Sequence, residues 1–177
     1  MHLLAFSGSP TPGSTIGQLL RAATALVPNG VDVSFYEETL GLPLFDPALT
    51  SPGRPLPPAV AALHQRLAAA DAVLFATPEY AYGVPGSFKI ALDWLVAAGS
   101  LYGKPTGALG ASPSAAGGGR ALASLLSTLE ALGAAVPPAA TLAVPFVRTR
   151  LGADGGQLAD PVLTEELRTV VVTLVGQ

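Results

Sequence analysis

The sequence predicts an α/β fold: a five-stranded parallel sheet covered by helices on both faces, in three layers. Three observations carry this. Short apolar runs of strand length alternate with amphipathic helical stretches along the whole chain. Each intervening stretch is long enough for a crossover, which parallel neighbours require. Half of the 177 residues are apolar, enough for a sizeable core in one ordinary domain spanning residues 1–177.

The elements follow in order. Residues 2–7 (HLLAFS) form a short apolar strand, and residues 8–14 (GSPTPGS) a loop dense in Gly, Pro and hydroxyls. Residues 15–27 carry Ile16, Leu19, Leu20 and Ala23 at helical spacing. Residues 31–36 alternate Val31, Val33 and Phe35, which is strand periodicity. The stretch 37–58 is long and Pro-rich, and a loop of that length in a compact domain is more often functional than filler. Residues 58–70 form a helix with proline suited to its first turn. A buried strand (72–76), a loop (77–86) with two tyrosines, and a helix (87–96) come next. Residues 106–111 form a small-residue strand, 112–119 (SPSAAGGG) a flexible loop, and 120–132 a helix ended by Gly133. A fifth strand (139–144) and a last helix (161–175), with Leu163, Leu167, Val170, Val171 and Leu174 on one face, complete the pattern. The 20 glycines and 17 prolines cluster between periodic segments, as punctuation would, and no internal repeat or linker interrupts the order.

Composition narrows the function classes. Only 12% of residues are charged, which excludes disorder and suggests that a partner subunit covers some surface. The net charge of −3 offers nucleic acid no electrostatic footing. The chain has no cysteine, which removes disulfides and thiol chemistry. No apolar run approaches the roughly 20 residues of a membrane helix, and no basic, then apolar leader pattern opens the chain. A soluble, cytoplasmic protein is expected.

Three unusual loops follow strands one, three and four. In a sheet ordered 2-1-3-4-5 these flank the switch point, where ligands bind outside the carboxyl ends of the strands. The first loop, with Ser9, Thr11, Ser14 and Thr15, combines hydroxyls, amides and a helix N-terminus, an anion-binding chemistry. It carries no Gly-Lys-Ser/Thr and no Gly-x-Gly-x-x-Gly. An ordinary capped turn with Ser14 as N-cap is the plainer alternative. The second loop, Pro78, Glu79, Tyr80, Ala81, Tyr82 and Gly83, offers flat aromatic surface and a stiff main chain suited to a planar ring with polar edges; the alternative is a rigid connection whose tyrosines only pack. The third, with Ser112, Ser114 and Gly117, falls on the same rim, and taken alone would pass for a mobile surface loop.

The segment PEYAYGVPGSFKIALDWL resembles the Pro-Glu-Tyr-Asn-Tyr-Gly-x-Pro-Gly-x-x-Lys-Asn-x-x-Asp-Trp-Leu signature of the NAD(P)H-dependent FMN reductases. That flavodoxin-like group includes chromate, quinone and azo-dye reductases. Gly8-Ser9 with Ser14, residues 42–47, and residues 110–120 add to the likeness, which covers roughly the first three quarters of the chain. The resemblance implies noncovalent FMN and NADPH or NADH as co-substrate. A small electron acceptor follows: free flavin, a quinone, chromate or an azo compound. It implies a homodimer or homotetramer, with Asp46 and the third helix near the neighbouring subunit. Ser9, Thr11 and Ser14 would hold the FMN phosphate, residues 78–83 would line the isoalloxazine, and Ser112, Ser114 and Gly117 would border its pyrimidine end.

The chain departs from the family at Thr11, where an Arg is usual, and at Ile16, Ala81 and Ile90, where Asn is usual. The Thr11 change removes a fixed phosphate partner. Hydride transfer needs no side-chain acid or base, so no catalytic residue is assigned. Two alternatives stand beside the reductase: an FMN-binding electron carrier, and a cofactor-free interaction protein of the same fold. Glu79 reads as a solvated or subunit-bridging carboxylate before a proton relay. Lys89 and Asp93 read as a helix ion pair, Trp94 as core or interface, His64 as a surface residue, and His2 as little more than a strand start. Asp46, Glu79 and Asp93 show no metal-ligand spacing, and no hydrolase elbow surrounds Ser112 or Ser114.

Overall fold

In a computed structural model of the chain, which describes residues 1–51, 53–152 and 158–176, five strands form one parallel sheet in the order β2-β1-β3-β4-β5. The strands are β1 (His2–Ser7), β2 (Asp32–Tyr36), β3 (Ala72–Pro78), β4 (Thr106–Ala111) and β5 (Thr141–Val144). The helices are α1 (Thr15–Thr24), α2 (Pro58–Ala69), α3 (Gly86–Leu95), α4 (Gly119–Ala131), α5 (Val147–Arg150) and α6 (Pro161–Val175). The expected parallel sheet and its order are present, with helices on both faces, in a flavodoxin-like arrangement.

The central strands are buried on both sides, which is why β3 and β4 read as unbroken apolar runs. Alternate residues still choose opposite cores. Leu3, Ala5, Leu74 and Leu109 pack with α1 and α6, whereas Leu4, Phe6, Val73, Phe75 and Ala108 pack with α2, α3 and α4. Phe6 anchors the second core, with ring centroids 4.6 Å from Tyr36, 5.0 Å from Phe75 and 5.5 Å from Phe88. Burial in this cluster pushes the Tyr36 hydroxyl up to about 12.

Several local readings change in the folded chain. The loop 37–58, of which Pro52 lies outside the described residues, holds a 3-10 turn at Pro47–Thr50 capped by Asp46. Trp94 is fully buried and donates its indole N–H to the Pro43 carbonyl at 2.8 Å, tying that loop to α3. His64 is half-buried rather than a surface residue, with Nε2 3.0 Å from the Trp94 carbonyl. His2 bridges β2 and α2, through Ser34 Oγ at 2.7 Å and the Ala69 carbonyl at 3.0 Å. Lys89 and Asp93 form the expected i,i+4 ion pair at 2.6 Å. The short helix α5 carries no apolar periodicity and is a feature that sequence patterning does not reveal.

Candidate functional site

The carboxyl ends of β1, β3 and β4 open into a cavity of about 420 Å³, within the usual range for small-molecule sites. All three expected loops contribute. Ser9, Thr11, Ser14 and Thr15 come from the first, Pro78, Glu79 and Tyr80 from the second, and Ser112 from the third. Ala81, Tyr82, Gly83, Ser114 and Gly117 are not part of its lining. A fourth segment, unanticipated, supplies Val147 and Arg148.

The first loop is built from hydroxyl-to-amide bonds. Ser7 Oγ accepts from the Ser9 N–H, Ser9 Oγ from the Thr11 N–H, and Ser14 Oγ from the Gly17 N–H, each at 3.3 Å. Ser14 is therefore the N-cap of α1, while the leading amides of that helix have no intrahelical acceptor. Gly8 continues the β1–β3 ladder into the loop through a 2.7 Å bond to the Ala76 carbonyl. A Cβ at Gly8 would overlap the Phe88 ring, so only glycine lets the loop settle this close to α3.

The second loop is a tight hairpin. Tyr80 and Gly83 exchange both backbone bonds, at 2.9 and 3.0 Å, and both central residues are left-handed, Ala81 at φ 48° and Tyr82 at φ 66°. This is the primed turn of a two-residue hairpin, which normally selects Asn or Gly. Two contacts dock it on α4. The Glu79 carboxylate accepts from the Arg120 and Ala121 N–H groups at 3.0 and 3.2 Å, and the Arg120 guanidinium lies 4.0 Å from the centre of the Tyr82 ring. Glu79 is thus tied to α4 rather than simply solvated. It caps a helix whose own N-cap, Gly118, has no side chain to do so. Sequence reasoning missed this because donor and acceptor lie 41 residues apart.

The third loop carries its own hydrogen bonds and is tied to the segment after β5. Ser112 Oγ and Ser114 Oγ are 2.7 Å apart, and the carbonyls of Ser114 and Ser112 accept from Phe146 and Val147 at 3.2 and 3.1 Å. Left-handed Gly118, at φ 73°, lies where a Cβ would stand 2.7 Å from the Ala111 nitrogen. Glycine here permits close packing.

Those backbone bonds also fix α5. Val147 and Leu151 are buried, and Arg150 is bonded to Asp160 at 2.5 Å and to Glu166 at 2.9 Å. The Arg150 guanidinium holds the Asp160 carboxyl below its ordinary range. Arg148 is exposed and lines the cavity, and among the described residues no carboxylate pairs with it. Among the described residues no group of three His, Asp or Glu is placed to hold a metal ion.

Comparison with known proteins agrees with the geometry. Residues 1–149 match the model of a family described as NADPH-dependent FMN reductase. The chain is 39% identical over 131 residues to an NAD(P)H-dependent FMN reductase of Pseudomonas aeruginosa, covering 73% of this chain and 69% of that protein. It is 31% identical to an NADPH:quinone oxidoreductase of Arabidopsis thaliana, over 98% of this chain and 90% of that one. Among solved structures, the flavoenzyme NAD(P)H:(acceptor) oxidoreductase FerB of Paracoccus denitrificans superposes with a TM-score of 0.82 at 25% identity, covering 99% of this chain and 95% of that one.

Proposed function

Because the chain belongs to the NADPH-dependent FMN reductase family, we propose that its rim cavity holds FMN and that NAD(P)H is its reductant. The observation that carries this is the convergence of a hydroxyl- and amide-rich helix start with a tyrosine-bearing hairpin on one cavity at the sheet's switch point. When bound there, FMN would supply the redox chemistry that links NAD(P)H to a small acceptor: free flavin, a quinone, chromate or an azo compound.

The chain's own residues bind and orient. Ser9, Thr11, Ser14 and Thr15 present hydroxyls and the α1 amides to the phosphate, a polar cradle favoured by the helix dipole. Pro78, Glu79 and Tyr80 would flank the ring through main chain and aromatic surface, and Ser112 would border its polar edge. Glu79 holds that wall in place from behind by its bond to α4. Ala81, Tyr82, Gly83, Ser114 and Gly117 complete the site indirectly: the first three shape the hairpin, and the last two shape the third loop. No side chain is assigned as acid or base.

A second copy of the chain would cover the exposed rings of Tyr80, Tyr82 and Phe146, which stand 51%, 68% and 51% open around the rim, making a homodimer or a homotetramer. The whole forms one FMN-binding unit over residues 1–177. No helix among the described residues is long and apolar enough to cross a membrane, and the proposed reaction runs in the cytoplasm.

The test is steady-state oxidation of NADPH by the FMN-loaded protein, with and without a quinone. Turnover that requires both FMN and acceptor supports the reading. Bound flavin that reduced nicotinamide cannot reduce refutes the reductase and favours a carrier.

A further inference from the structure

We propose that Arg148, delivered by α5 from far along the chain, is the cation that binds the phosphate of FMN, in place of the arginine missing at Thr11. This rests on the reading of the rim cavity as the FMN site. A phosphate monoester carries nearly two negative charges at neutral pH. The first loop meets it with hydroxyls and amide dipoles only, and Thr11 brings no charge. Among the described residues, Arg148 and Glu79 are the only charged side chains lining the cavity, and the Glu79 carboxylate is bonded to the α4 amides. Among the described residues, the sole cation lining the cavity is therefore Arg148.

Its placement is specified rather than incidental. Residues two apart on a helix do not share a face. Arg150 is tied to Asp160 and Glu166 on α6, and Val147 is buried, so Arg148 is left turned to the cavity. The backbone that carries it is bonded to Ser112, which lines the same cavity, and to Ser114 in the same loop. Phe146 takes up a left-handed turn at φ 51° just before α5 begins, and this redirects the chain toward the rim. An unpaired arginine presents a planar fork matched to phosphate oxygens, and nothing in the described structure competes for it.

The discriminating pair of probes is FMN and riboflavin, which share the ring and differ in the phosphate. Dissociation constants for both are measured by flavin fluorescence on the full chain and on Arg148→Ala and Arg148→Lys. Arg148→Ala is expected to weaken FMN about tenfold and to leave riboflavin within about twofold, with the lysine variant recovering part of the loss. FMN affinity of the unaltered protein is expected to fall with ionic strength more steeply than that of Arg148→Ala. An unchanged FMN-to-riboflavin ratio overturns the proposal, even if the KM for NADPH rises, because the arginine then serves the dinucleotide. Equal weakening of both flavins also overturns it, since that marks a structural role. An unaltered protein that binds neither flavin defeats the reading of the cavity itself, and this assignment with it.

Discussion

Replacing Glu79 tests whether the hairpin wall is held from behind. In Glu79→Ala the N–H groups of Arg120 and Ala121 lose an acceptor at 3.0 and 3.2 Å, and Gly118 has no side chain to replace it. Loss of a helix cap costs about 1 kcal/mol, and loss of a negative charge at a helix N-terminus adds roughly 0.3–1 kcal/mol. The carboxylate is half-buried, so screening is incomplete, and a total of about 1–2 kcal/mol is expected. With a urea m-value of about 2 kcal/mol per molar, the unfolding midpoint falls by roughly 0.5–1 M. Glu79→Gln keeps an acceptor oxygen and loses only the charge, so its midpoint lies between the two. FMN binding weakens in the alanine variant, because Pro78 and Tyr80 lose their fixed backing. A midpoint for Glu79→Ala within about 0.2 M of the parent protein would refute the capping role. A pH profile of turnover that shifts with no stability change would instead make Glu79 a proton donor.

Two further predictions concern backbone strain and pH. Ala81 sits at φ 48°, where a Cβ costs about 1 kcal/mol, so Ala81→Gly, which removes it, raises the thermal midpoint by roughly 2–4 °C in calorimetry; a lower midpoint would show that the turn does not tolerate the change. Asp160 caps α6 and pairs with Arg150, and that pair holds its folded-state pKa down, so its ionic contribution is present above the ordinary carboxylate value and fades as pH falls through the lowered one. Asp160→Asn, which can still cap, is therefore less stable than the parent at pH 7 and converges with it under acid; parallel urea midpoints at all pH values would contradict this.

The sheet was legible because β1, β3 and β4 are buried on both faces and read as uninterrupted apolar runs, while the amphipathic stretches between them had to be crossovers. Three of the four cavity walls were legible too, since Gly, Pro, Ser and Tyr clustered directly after those strands. What escaped was long-range. Arg148 enters from beyond β5 on a four-residue helix too short to show a period, and Glu79 finds its partners only once α4 docks. The primed hairpin was hidden because Ala81 and Tyr82 stand where Asn and Gly would announce the turn. Composition also did not reveal that Gly117 and Gly118 serve close packing against Pro145 and Ala111.

The most direct test of the account is a crystal structure of the protein grown with FMN. The phosphate is expected against Ser9, Thr11 and Ser14, and the ring against Pro78 to Tyr80 with its polar edge toward Ser112. A flavin lodged elsewhere on the molecule, or an empty rim at saturating FMN, would contradict it.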